Sequence, residues 1–268
     1  MTTPAHKSSQ SFLGDGADLL FASCKLGIVG LGGGGSHVVQ QVAHIGFKHV
    51  IAFDYDRIEE RNLNRLVGAT IADLPQGKEE EGTPKGIIAK RLYHGLQPEG
   101  FFNWIDAKWQ DAKETLRSCD IVISCLDDIQ NRLDIEKTCR RYLIPLIDIG
   151  MDVQIRPGES PQCFGQVAVS LPGRHCFHCL GFRDQTDGPK YGDAGSRPQV
   201  IWPNGVLASS AVGIAVDMLT GWTKEENLTL RLQYNGNTHT LTPMPQLSER
   251  LKFPCTHFTP EQVGDPLF

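Results

Sequence analysis

Between Leu26 and Ser36 the chain reads Leu-Gly-Ile-Val-Gly-Leu-Gly-Gly-Gly-Gly-Ser, which places Gly30, Gly32 and Gly35 in the spacing GxGxxG. Glycine removes the side chain where a nucleotide phosphate must approach the backbone. A helix starting there adds free N–H groups and the positive end of its dipole. About 20 residues on, the apolar run His49–Phe53 ends at Asp54, where a carboxylate suits a ribose hydroxyl. These residues alone fit NAD, FAD or ATP, or a tight turn that holds no ligand. A polar stretch rich in hydrogen-bonding groups follows, from Asp56 and Arg57 through Asn62 to Arg65. Much later, Cys176-Phe-His-Cys179 sets two thiols on one short turn, a pattern that suits tetrahedral zinc.

Those groups need elements to hold them. Val38, Val39, Val42, Ala43 and Ile45 recur at helical intervals after the glycines, so a strand, a turn and a helix are expected there. Residues 1–25 read as a polar lead-in. The loop from Ala72 to Gly86 is charged, and Glu79-Glu80-Glu81 within it reads as a solvated run. Thr83 is expected to cap the next helix with Pro84 at its first position, and Ile87, Ile88, Ala89 and Leu92 to form its buried face. Phe101–Ile105 is expected to be the third strand. Asp120–Cys125 is an apolar strand that ends at Leu126-Asp127-Asp128, followed by a helix to about Arg141 and a buried strand over Leu143–Asp148.

This alternation predicts an α/β fold, a Rossmann-like doubly wound and mainly parallel sheet. Past residue 160 the pattern changes. A strand at Gly165–Ser170, a long loop over Gly181–Asn204, a small-residue helix at Gly205–Leu219 and a hairpin turning at Asn235-Gly236 are expected, which makes the last strands antiparallel. The organisation is thus a lead-in (1–25), a nucleotide-binding half (26–160) and a C-terminal half (161–268) of one domain.

Composition bounds the reading. A net charge of -5 over 268 residues gives no footing for non-specific nucleic-acid binding. No apolar run nears the roughly 20 residues of a membrane span, and Met1–Gly16 lacks the apolar core of a signal peptide. The eight cysteines are scattered apart from the one CxxC, so reduced thiols and a cytoplasmic home are expected.

In order and spacing, the glycine loop, Asp54, Asn62-Leu-Asn-Arg65, Lys85, Ser-Cys-Leu-Asp127-Asp128 and the CxxC resemble the ThiF/HesA/MoeB adenylyltransferases, the ubiquitin-activating-enzyme-like family, over roughly residues 10–258. The resemblance implies ATP- and Mg2+-dependent adenylation of the C-terminal carboxylate of a ubiquitin-like or sulfur-carrier protein, with release of pyrophosphate. It implies that Gly30, Gly32, Gly33 and Gly35 form the phosphate turn and that Asp54, with Asp56 beside it, faces the ribose. Asn62, Arg65 and Lys85 would contact the phosphates, Asp127 or Asp128 would hold magnesium, and Arg132 would brace the site. Arg65, Lys85 and Asp127 carry the implied catalytic roles. Taken singly, Arg65 and Lys85 also read as solvated cations and Asp127 as a helix cap.

For zinc the implied ligands are Cys176, Cys179 and Cys255 with His257 as the fourth. His175 and His178 are rivals, and a site without metal or a redox pair is the alternative. The zinc would be structural. Two departures from the family stand out. No arginine precedes Arg57, and Ser9 stands where the family's N-terminal arginine is expected. Lys7 or another chain would then supply the cation, or transition-state stabilisation would be weaker. Ser196–Gly205 holds no cysteine for a thioester, so transfer straight from the adenylate is expected, with Arg197 as a contact for the carrier's tail. Cys119, Cys125 and Cys139 read as core, and Cys163 is a remote nucleophile. Expected partners are a conjugating enzyme, a JAB-type peptidase and a second copy of the chain. The competing readings are a silent scaffold subunit of a heterodimer and an NAD-dependent oxidoreductase.

Overall fold

The computed structural model of the chain describes residues 5–77, 79–182, 198–224, 230–244, 247 and 250–264. In order these form α1 (Ala17–Ser23), β1 (Lys25–Val29), α2 (Gly33–Ile45), β2 (His49–Phe53), α3 (Lys85–His94), β3 (Phe101–Ile105), α4 (Lys113–Leu116), β4 (Ile121–Ser124), α5 (Ile129–Arg141), β5 (Leu146–Gln154), β6 (Gln162–Ser170), α6 (Ile201–Thr220), β7 (Arg231–Asn235) and β8 (Thr240–Pro243). Among the described residues the strands make one sheet in the order β3-β2-β1-β4-β5-β6-β7-β8. β3, β2, β1, β4 and β5 run parallel, and β6, β7 and β8 add antiparallel pairs. The strand order reverses between β1 and β4, and a crevice opens there at the strands' carboxyl ends.

Alternation along β1 explains the layers. Leu26 and Ile28 face a core shared with Phe21 of α1, Val38 and Val42 of α2 and Leu207 and Ala211 of α6. Val29 faces the opposite core, with Leu133 and Cys139 of α5 and Phe177. A strand covered on both faces has no polar side to show, which is why β1, β2 and β4 read as continuous apolar runs. Phe21 is fully buried and Leu13 nearly so, so the later part of the lead-in, including α1, packs on the core and is not only a polar arm.

Several boundaries differ from the sequence reading. Pro84, not Thr83, is the cap residue of α3; the Thr83 carbonyl instead accepts the Ile58 N–H. Ile87 is exposed, and its place on the buried face goes to Gly86, which lies against the Trp104 ring. Leu143 is not in a strand. It adopts a left-handed conformation (φ 58°), and the Ile144 N–H then reaches back to the Cys139 carbonyl to close α5. β5 begins at Leu146 and continues to Gln154 because β6 pairs with it over that whole length. α6 begins at Ile201, so Trp202, Pro203 and Asn204 belong to the helix and not to the preceding loop. The last hairpin exists, but Asn235 pairs with Thr240 and the turn spans four residues. The Asn235 side chain accepts N–H groups from Asn237 and Thr238, and His239 takes a left-handed conformation.

Candidate nucleotide site and cysteine cluster

At the carboxyl ends of β1, β2 and β4 lies a cavity of about 350 Å³, within the size range of small-molecule sites. Gly30, Gly32, Gly33, Asp54, Asp56, Asn62, Arg65, Lys85, Asp127 and Arg132 all line it. Two of the sequence-derived residues do not. Gly35 turns inward, where an added Cβ would overlap the Gly30 carbonyl oxygen; it lets α2 close onto the turn. Asp128 caps α5 by accepting the Asn131 N–H at 2.8 Å. The capping role considered for Asp127 therefore falls on its neighbour, and Asp127 is left at the cavity. Arg197 lies outside the described residues.

The glycines differ in what they tolerate. Gly30 needs its positive φ of 90°, and Gly33 is held against the Asn204 amide, whose Nδ2 would stand 2.7 Å from an added Cβ. Gly34 meets Ile149. Only around Gly32 would a Cβ meet nothing within 4 Å. Gly35→Ala is expected to lower stability by about 1–3 kcal/mol in chemical denaturation. Gly32→Ala should leave stability unchanged and weaken nucleotide binding, both measurable on the same preparations.

Asp54 accepts the Leu31 N–H at 2.6 Å and the Asp56 N–H at 2.8 Å. These bonds tie the ends of β1 and β2 together and aim the carboxylate. Burial pushes the Asp54 carboxyl up, against the pull of nearby Lys85 and of the two backbone donors. Lys85 Nζ contacts Asp56 Oδ2 at 2.6 Å. The Asn62 amide oxygen is committed to the Glu59 N–H, so the amide N–H groups are what Asn62 can offer a ligand. Arg65 donates to the Asn64 side chain and the Arg61 carbonyl, and burial is the main reason its guanidinium is pulled down from its usual range. Arg132 is nearly buried and donates from Nε to the Leu126 carbonyl at 2.7 Å.

Sequence reasoning missed the wall made by Tyr55, Lys108, Trp109 and Gln110, from the ends of β2 and β3, and Asn204 from α6. None of these residues follows a motif. Lys108 sits 5.8 Å from the centre of the Tyr55 ring. A neighbouring groove of about 1140 Å³ shares Asp56, Asn62, Arg65, Lys85 and Asp127 with the cavity and runs along Arg57–Arg61 and Pro198–Val200.

On the far side of α5, the Cys176, Cys179 and Cys255 thiols and the His257 ring place their ligand atoms within 4.8 Å of one another. Cys176 Sγ to Cys179 Sγ is 3.8 Å, Cys179 Sγ to His257 Nδ1 3.4 Å and Cys255 Sγ to His257 Nδ1 3.9 Å. A tetrahedral zinc with ordinary bond lengths requires S···S near 3.8 Å and S···N about 3.5 Å, so these four residues can hold such an ion. His175 is turned away, its Nε2 at 2.8 Å from the Phe253 carbonyl, and His178 stacks on the His257 ring. Burial draws the Cys255 thiol up, but hydrogen bonds from His257 and the other two cysteines prevail and bring it to about 6.

A doubly wound sheet with a glycine turn at its switch point, and cations and carboxylates converging there from several loops, defines a Rossmann-type architecture. The chain belongs to the ThiF family, whose pattern matches residues 8–255. A molybdopterin-synthase adenylyltransferase of Haemophilus influenzae is 33% identical over 157 residues, covering 58% of this chain and 58% of its own. A SAMP-activating enzyme E1 of Haloferax volcanii is 27% identical over 160 residues, 59% of this chain and 53% of its own. The chain thus spans about half the length of these curated relatives. Among solved structures, E. coli MccB with ATP superposes with a TM-score of 0.67 at 19% identity, over 85% of this chain and 65% of that one. MccB with MccA-N7isoASN gives 0.72 at 19% identity, over 90% and 71%. The fold is shared with MccB. No described helix is long and apolar enough to cross a membrane.

Proposed function

We propose that this chain adenylates the C-terminal carboxylate of a ubiquitin-like or sulfur-carrier protein, using ATP with magnesium. The observation that carries the reading is the convergence of Asp54, Arg65, Lys85, Asp127 and Arg132, drawn from across the first half of the chain, on one cavity beside the glycine turn. The reaction brings a carboxylate against a tetra-anion, so its difficulty is charge. The carboxylate oxygen attacks the α-phosphorus, that phosphorus loses its bond to pyrophosphate, and the acyl-adenylate stays behind. Arg65 and Lys85, which both line the cavity, would offset the charge that builds on the phosphates. Asp127 is the residue that would hold magnesium, whose chemistry there is to neutralise phosphate oxygens as pyrophosphate leaves. Asp54 would hold the ribose. The neighbouring groove, open toward Lys85 and Asp127, is the approach for the carrier's tail.

Direct transfer from the adenylate is supported by the state of the thiols. Burial pushes Cys119 up to about 12 and raises Cys125, Cys139 and Cys163 as well, so none of these four is a ready thiolate. The acceptor would be a conjugating enzyme's thiol or an amine, in a system that includes a JAB-type peptidase, with the chain acting as a homodimer. The four-ligand cluster would hold zinc structurally, since it leaves no open position. An NAD-dependent redox role would account for the glycine turn and Asp54 but would leave Asn62, Arg65, Lys85 and Asp127 without a task. A silent scaffold is the rival, because Ser9 stands in place of the N-terminal arginine.

Pyrophosphate exchange separates the two. With Mg-ATP and the cognate carrier, labelled pyrophosphate is expected to enter ATP, and Asp127→Ala is expected to abolish that. No exchange with a carrier shown to bind leaves the scaffold; full exchange in the variant removes the magnesium assignment.

A further inference from the structure

Asp148 lies on β5 with no exposed surface, in the layer just under the cavity wall formed by Ile149 and Gly150. The Ser124 hydroxyl lies near the carboxylate and favours its charged form, but neither carboxylate oxygen has a hydrogen bond of ordinary geometry among the described residues. The cation paired with it is Arg132, with Nη1 3.5 Å from Oδ2. That distance is long for a charge-assisted hydrogen bond, and Arg132 is anchored elsewhere. Its Nε donates to the Leu126 carbonyl at 2.7 Å, and its guanidinium fills the space over Gly150 that a Cβ would need. Asp148 therefore supplies Arg132 with charge balance more than with position, and Arg132 in turn lines the cavity.

The other groups facing Asp148 are Glu136 on α5, Ser124 and Cys125 on and just after β4, and Arg231 on β7. Glu136 commits one oxygen: its Oε1 accepts the Ser170 hydroxyl at 2.5 Å, the Phe177 N–H at 2.8 Å and Arg140 Nε at 3.3 Å. Its Oε2 has no partner among the described residues and burial raises this carboxyl too, which makes Glu136 the group to test beside Asp148.

We propose that binding of an anionic nucleotide in the cavity is coupled to the uptake of a proton from solvent by Asp148, with Arg132 as the cation that the two anions share. The inference rests on the nucleotide site proposed above. A phosphate that draws on Arg132 leaves a fully buried carboxylate with less compensation, and such a group responds by becoming neutral. Burial already pushes the Asp148 carboxyl up to about 6, against the pull of Arg132 and of the Ser124 hydroxyl, so a modest further rise brings protonation into the neutral range. The sign follows from linkage. A pKa higher in the bound state means that affinity is strongest at low pH and falls as pH rises through the bound-state value.

The test is calorimetric titration of the full chain with a non-hydrolysable ATP analogue and excess magnesium, at pH 7, in buffers of different ionisation enthalpy. Uptake of about 0.3 proton or more per nucleotide is expected, with affinity about 3–10-fold weaker at pH 8 than at pH 6. Asp148→Asn should lose that uptake and flatten the pH dependence. Glu136→Gln should keep both, and because Asp148→Asn leaves Asp54, Asp56, Asp127 and Lys85 in place, uptake that survives it would belong to those cavity groups. Should Asp148→Asn not fold, difference infrared spectra of the natural protein with 13C-aspartate serve instead. A protonated carboxyl band that appears with nucleotide and shifts with the label supports the proposal, and no such band overturns it. Nucleotide binding without proton uptake, or undiminished uptake in Asp148→Asn, overturns it alone. Absence of any binding overturns the nucleotide site with it.

Discussion

Lys85→Ala is expected to cut pyrophosphate exchange by about 10²–10³-fold, the usual effect of losing one group that stabilises transition-state charge, while the thermal midpoint barely moves. Lys85 is the first residue of α3, and its N–H bonds the Asp56 carbonyl at 3.0 Å. The amine is thus delivered to the cavity by backbone geometry that the substitution does not touch. Its side chain is only 11% exposed, yet its partner Asp56 is 52% exposed, so water can take over the carboxylate when the amine is gone. A half-exposed pair of this kind contributes little to stability. The loss should appear in kcat and kcat/KM together, because the charge Lys85 meets grows as pyrophosphate departs. Asp56→Asn should stay within about tenfold of the natural rate, since it removes the resting partner and leaves the amine in place. Circular dichroism and a melting curve on each variant separate lost chemistry from lost fold. Exchange that survives Lys85→Ala within about threefold would make the Lys85–Asp56 pair a fastening between α3 and the loop after β2, and no more.

What the sequence could disclose about this site was decided by how local each cause is. The β1 strand, the glycine turn and α2 announce themselves because sterics and periodicity act within a dozen residues. Asp54 is legible because a carboxylate at the end of an apolar strand has few other uses. Gly33 and Gly35 have different reasons for being glycine, Asn204 for one and the Gly30 carbonyl for the other. The first of these depends on where α6 arrives and cannot be read near the turn. Asp127 and Asp128 are neighbours of the same type, and only the start of α5 decides which one is spent on the cap. Trp109 and Gln110 reach the cavity through the path of the chain after β3, which no motif encodes. Asp148 did leave a signal, one carboxylate inside Leu146-Ile-Asp-Ile149. An ionisable residue inside a strand covered on both faces has to meet a buried partner. The partner, Arg132, follows only from the packing of α5 on β5.

Removing the metal is expected to have the largest effect on stability. Purified protein should carry about one zinc per chain, and Cys176→Ser or a strong chelator should lower the thermal midpoint by about 10 °C or more. The argument is geometric. The cluster joins the turn at Cys176–Cys179 to Cys255 and His257, and the segment around those late residues is otherwise lightly held. Phe258 lies under the Arg140 guanidinium at 4.9 Å, and the Gly264 N–H bonds the Arg140 carbonyl. Arg140 also donates to the Arg174 and His175 carbonyls at 3.1 and 2.8 Å, and the Phe177 N–H reaches Glu136. The cysteine turn is therefore built onto α5, the helix that carries Arg132 at its other end. Loss of the ion should free the last described residues first and slacken α5 second, so nucleotide affinity should fall less steeply than stability. Cys163→Ser is the matched control, a half-buried thiol outside the cluster, and should cost about 1 kcal/mol or less. A redox pair at Cys176 and Cys179 predicts the opposite pattern: no metal, indifference to chelator, and a midpoint that follows the reductant. That outcome would retire the zinc assignment and leave the nucleotide site untouched, because none of the four ligands lines the cavity.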